Sequence, residues 1–189
     1  MSQDQGTPGR RVSRARQRFL GLTSDDPRPD DQGRPPEVIE LTADVQRRLL
    51  ASLYAPGAFR SGPLFGTRRE GLRHITDATR GVPPGLFPDD STVFPLEAGY
   101  VLGCSDALTA RDQALDWLGQ WLMAPDRRLG SPAEHAAWLS QAQALALVDE
   151  DTFVLILGIE EDSLEYRAYV LLGQRALSVE VRCLPLGER

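Results

Sequence analysis

Residues 117–138 read WLGQWLMAPDRRLGSPAEHAAW, and the fold turns on how residues 117–124 are taken. An apolar run stopped by Pro125 reads as a buried strand. The same residues also extend a stripe of Leu108, Leu115, Leu118 and Leu122 at helical spacing, which would make 105–123 one amphipathic helix. Gly119 inside that helix would cost about 1 kcal/mol against alanine, which speaks for the strand, but both readings stay open on the residues. The next segment is clearer. Ser131 can cap a helix with Pro132 at its first position, and Ala133 to about Ala146 are good helix formers. Trp117, Trp121 and Trp138 gather most of the aromatic area here. They either pack a core against the last strands or form a partner-facing groove, since tryptophan is over-represented at interface hot spots.

C-terminal to this stretch, Thr152–Gly158, Tyr166–Leu172 and Ser178–Leu184 read as strands, with an acidic turn at Glu160-Glu161-Asp162-Ser163 between the first two. On the N-terminal side, Val38–Leu41 reads as a short strand. Thr42 can cap a helix to about Tyr54, with Val45, Leu49, Leu50 and Leu53 on one stripe. Ala55-Pro56-Gly57 stops it. Leu64–Thr67 and Leu72–Asp77 form a hairpin across Arg68–Gly71. Residues 80–95 are a proline-rich loop, and after Tyr100-Val101-Leu102 a helical segment runs near Ser105 to Leu115. Helices and strands in this order, with strands clustered at the end, predict a mixed α+β domain.

Residues 1–36 are polar, charged and rich in Gly and Pro, too poor in apolar surface to offset ordering entropy, so they are expected to form a disordered leader before a single globular domain over 37–189. Arg10, Arg11, Arg14, Arg16 and Arg18 lead into Phe19-Leu20, either as a solvated tail or as an electrostatic arm for phosphates or an acidic partner. The net charge of −6 argues against nucleic-acid binding by the body. All 21 cationic side chains are arginine, which a GC-rich, bacterial-type genome explains most simply. No apolar run approaches the roughly 20 residues of a membrane span, so no membrane association is expected. Cys104 and Cys183 form neither a disulfide framework nor a metal site and read as buried thiols, and the expected setting is cytoplasmic.

Two stretches carry a family resemblance. Phe59–Gly66 (FRSGPLFG), with REGLRHITDATRG after it, is similar to the opening strands of the JAB/MPN/JAMM domain. Residues 117–138 resemble its signature, with Gly119, Pro125 and Ser131 at about the family's spacing. The resemblance implies a central mixed sheet flanked by helices. Active members are zinc isopeptidases acting on ubiquitin-like proteins, with two histidines and an aspartate on the metal and a glutamate as base. Here the histidine positions hold Leu122 and Ala124, and the aspartate position holds Glu134. The base position holds Phe59, or Arg60 in a register slipped by one. In the helical reading of 105–123, Asp106 and Leu108 take the histidine positions. A catalytic zinc needs three protein ligands, so either register implies a pseudoenzyme with no cofactor. The absence of lysine would also suit a protein shielded from isopeptide modification.

Other candidates are weak. His74 and His135 lack ligand spacing, and Asp149–Asp151 with Glu160–Asp162 read as solvated turn charges rather than a calcium loop. The expectation is thus an inactive MPN-like interaction or scaffold module with a protein partner, pairing of two copies staying open. A nucleic-acid accessory protein using the arginine arm is the alternative, and an enzyme with an unrecognised centre the third.

Overall fold

A computed structural model describes residues 14–20, 35–54, 58–86, 89 and 91–185. Its elements run α1 (Arg14–Leu20), β1 (Val38–Leu41), α2 (Ala43–Leu53), β2 (Arg60–Arg69), β3 (Leu72–Ala78), α3 (Ala98–Arg111), β4 (Asp116–Met123), α4 (Pro132–Ala144), β5 (Phe153–Glu160), β6 (Ser163–Leu172) and β7 (Arg175–Cys183).

The seven strands close on themselves in the order β1-β3-β2-β4-β5-β6-β7. Short β1 is the closing stave. It pairs parallel with β3 on one side, Leu41 opposite Ile75, and parallel with β7 on the other, Leu41 opposite Cys183. Closure leaves no sheet edge to template aggregation. This corrects the fold expected from the JAB/MPN resemblance: the sheet is a barrel, not an open mixed sheet flanked by helices.

Two cores follow from the alternation of side chains along the strands. Ile39, Leu41, Leu64, Ile75, Leu118, Trp121, Phe153, Leu155, Leu157 and Val170 fill the barrel. Helix α2 plugs one end, inserting Val45, Leu49 and Leu53, one helical turn apart, into that core. Leu50, expected on the same stripe, faces solvent. Three polar ties hold the plug. Gln46 Nε2 donates to the carbonyls of Leu41 and Leu184, Arg60 donates to the Ser52 and Ala124 carbonyls, and Arg48 pairs with Asp77. The second core lies outside the barrel wall, where Phe65, Trp117, Leu122, Val154 and Ile156 meet α1, α4 and the segment at Val93-Phe94.

Residues 117–123 are strand, not helix. β4 lies antiparallel to β2 and parallel to β5. Gly119 is required there because a Cβ would stand 2.6 Å from the Phe153 carbonyl oxygen on the neighbouring strand. Helix α3 ends at Arg111 and starts earlier than expected, absorbing Tyr100-Val101-Leu102, because the Glu97 carboxylate caps it from Gly99 N and Tyr100 N. Among the described residues no helix is long and apolar enough to cross a membrane.

Candidate functional site

The arginine arm is where structure and expectation part most usefully. Residues 14–20 form a helix docked on the barrel wall, which corrects the expected disorder for that segment; the rest of 1–34 lies outside the described residues. Ala15 is fully buried, and Phe19, one turn on, packs 5.8 Å from the Trp117 ring. The flanking arginines reach four carboxylates. Arg14 N donates to Asp116 Oδ1 at 3.1 Å, and its guanidinium meets Asp116 and Asp151. Arg16 grips Asp106 on α3 through two bonds, at 3.0 and 2.7 Å. Arg18 donates to Asp149 at 3.0 Å and to the Thr152 hydroxyl, with its guanidinium 5.1 Å from the Trp117 ring centroid. The seat is therefore an acidic groove with an aromatic floor.

Asp149 is set in place without the helix. Its Oδ1 accepts from the backbone N–H of Asp151 and of Thr152 and from the Thr152 hydroxyl, leaving Oδ2 for Arg18. Burial pushes its carboxyl up, but the Thr152 bonds, the Arg18 charge and the Asp151 N–H outweigh that and hold it below the usual carboxylate range. Asp151 serves the barrel as well as the seat, because Arg68 and the fully buried Arg73 also converge on it. Both acids stood in the sequence as ordinary turn charges. Nothing local marks them as a seat, because the arginines they hold lie more than 75 residues away.

At the plugged end, a cleft of about 240 Å³ opens between α2 and the end of β3, lined by Arg48, Leu49, Ala51, Ser52, Ala78, Thr79, Arg80 and Trp121. Its floor is rigid. The Trp121 indole N–H donates to the Thr79 carbonyl at 2.7 Å, and that carbonyl crosses directly over Gly62, where any Cβ would collide with it. Beside it, Arg60 donates to the Ser52 carbonyl, and burial, then the Arg127 charge, press its guanidinium below its ordinary value.

The other expected residues resolve simply. Trp117, Trp121 and Trp138 are all buried and pack the two cores; Trp117 also lies under Phe19 and Arg18 of α1, and Trp121 lines the cleft beside α2. Arg10 and Arg11 lie outside the described residues. His135 is buried with both ring nitrogens engaged, by the Tyr169 hydroxyl at 2.9 Å and the Leu129 carbonyl at 2.8 Å. His74 meets Glu40 at 3.2 Å on the neighbouring strand. Leu122 and Ala124 are core, Phe59 stacks edge-on against Trp138, and Glu134 completes a capping box with Ser131. Of the cysteines expected to be buried, Cys104 is half-buried and Cys183 exposed. Among the described residues no three His, Cys, Asp or Glu side chains gather as a metal would need.

Fold and site together define a helix-plugged, closed seven-stranded barrel with a basic helix docked on its wall. No known family's profile matches the chain, and no curated protein does. Among solved structures it is similar to the solution structure of protein DSY2949 from Desulfitobacterium hafniense, a structural-genomics target. The TM-score is 0.60 at 16% identity, over 77% of this chain and 92% of that one, a likeness of fold alone.

Proposed function

We propose that the protein is a non-catalytic, cytoplasmic protein-interaction module whose binding surface is the acidic groove between α3 and the leading ends of β4 and β5. Its partner is a protein carrying a short arginine-rich amphipathic helix. The observation that supports this reading is the docking of α1. A helix of seven residues is marginal in water and persists only where its surroundings hold it. The groove does so with paired carboxylates spaced for Arg14, Arg16 and Arg18 and a Trp117 floor for Phe19. α1 is then a resident stand-in for the partner's helix. Because α1 is tethered, at an effective concentration of roughly millimolar, a partner present at lower concentration must bind the open groove correspondingly more tightly than α1 itself does.

The test is a titration of the full chain, and of the same chain with Arg14, Arg16 and Arg18 changed to Gln, with a labelled peptide of residues 10–20. The neutralised chain should bind saturably and more tightly than the unaltered one, and Asp106→Asn with Asp149→Asn should remove the binding. Failure of the neutralised chain to bind at high-micromolar peptide would sink the reading. An arginine arm for nucleic acid is disfavoured by the same contacts, since three of its arginines already face carboxylates. It would require RNA or DNA to displace α1, seen as salt-sensitive binding lost with those three arginines.

A further inference from the structure

We propose that the cleft between α2 and β3 is a phosphate site, taking the phosphate group of a small phosphomonoester between Arg48 and Arg80. The site is separate from the α1 groove and does not depend on it.

Charge is the first argument. Arg80 makes no ion pair among the described residues. Arg48 reaches Asp77 at a long 3.5 Å, while Arg111 holds the same carboxylate at 3.0 Å and Thr76 donates to it as well. Asp77 would therefore stay neutralised if Arg48 turned into the cleft. Two arginines thus line one opening, and the carboxylate that holds Arg48 has a second arginine of its own.

Geometry is the second. The arginines come from different elements, α2 and the chain leaving β3, and each offers several donors and no acceptor. A carboxylate is saturated by one bidentate arginine, whereas the three terminal oxygens of a phosphate can occupy donors converging from two sides. Ser52 and Thr79 hydroxyls line the same opening, each spent on a long backbone bond, 3.2 and 3.4 Å, from which it can turn. Size is the third. At about 240 Å³ the cleft falls below the roughly 300–1,000 Å³ of sites for drug-sized ligands, which leaves a phosphate carrying few carbons.

The test titrates the full chain with inorganic phosphate and glycerol phosphate, against chloride at matched ionic strength and against acetate and malonate. The readout is the Trp121 indole N–H resonance. Saturable shifts are expected for the two phosphates only. Arg80→Gln should weaken them about tenfold or more, the scale of one charge-assisted hydrogen bond, without moving the melting temperature. Arg48→Gln should act in the same direction, and Arg182→Gln, on the exposed Glu180 pair, should change nothing. Three results would overturn the proposal: phosphate acting no differently from chloride, acetate or malonate matching phosphate, or binding that survives Arg80→Gln. Loss of binding in Arg16→Gln rather than Arg80→Gln would assign the anion to the arginine helix and overturn it equally.

Discussion

Gln120 is fully buried on the face of β4 it shares with Leu122, and among the described residues neither end of its amide has a hydrogen-bond partner. A buried unsatisfied polar group costs about 1–3 kcal/mol, so Gln120→Met, which keeps the length and removes both polar atoms, should raise stability by about that amount. Urea unfolding with an unchanged slope would show it as a higher midpoint. A lower midpoint would mean that a trapped water serves the amide and that the native group is stabilising. Asp151 is the opposite case. It anchors Arg73, Arg68 and Arg14, and Arg73 has almost no access to water. Removing one partner of a buried pair typically costs about 3–5 kcal/mol; since Asp151 is partly exposed, Asp151→Asn should cost about 3 kcal/mol in the same measurement. Neither residue was legible in the sequence. A glutamine inside an apolar run and an aspartate in an acidic turn look like many others, and their environments are assembled from strands far apart in the chain.

Elements with local causes were easier to read. Thr42 and Ser131 cap their helices as their hydroxyls suggested, and Ser131 adds a capping box with Glu134. The tight β2–β3 turn at Glu70-Gly71 also sits where the charged turn was expected. The start of helix α3 is not legible in the sequence because its cap is a glutamate, outside the usual Ser, Thr, Asp and Asn. β4 was undecided because its apolar residues fit two periods; only contact with Phe153 explains Gly119. The β5–β6 hairpin holds a testable weakness. Glu161 and Asp162 both lie at positive φ, 48° and 63°, between the paired residues Glu160 and Ser163. A two-residue turn with both central residues left-handed favours Asn-Gly. Glu161→Asn with Asp162→Gly should therefore stabilise by about 1 kcal/mol, or a few degrees of melting temperature for a chain of this size. No change, or a fall, would show that the acidic pair is not strained.

Barrel closure belongs to the whole molecule and was out of reach of any window of sequence. The seam joins β1 to β7, pairing Val38 with Glu180, and nothing in four residues of β1 announces two parallel neighbours. The JAB/MPN resemblance matched the order of elements, which an open sheet and a closed barrel can share. The same scale separates α1 from the barrel it sits on: three ion-paired arginines add to the apolar contacts of Ala15 and Phe19 in holding the helix, whereas the barrel interior is apolar. At about 1 M salt the Debye length shrinks to roughly 3 Å, which screens exposed pairs such as Arg16–Asp106 far more than buried apolar contacts. Acid acts on Asp149, whose carboxyl is held below its ordinary value in the folded chain. A depressed carboxylate gives its full stabilisation above the unfolded pKa of about 3.9 and loses it as pH falls through the lower folded value. Acidification below about pH 4 should therefore weaken the Arg18 contact progressively, and raising salt at neutral pH should loosen all three arginines at once. Hydrogen exchange resolves the two parts of the molecule. Amides of residues 14–20 should lose protection under either treatment while those of β4 and β5 keep theirs. Loss of protection in α1 and barrel together would mean that buried Ala15 and half-buried Phe19, not the ion pairs, fix the helix, and the groove would then be unable to exchange its occupant.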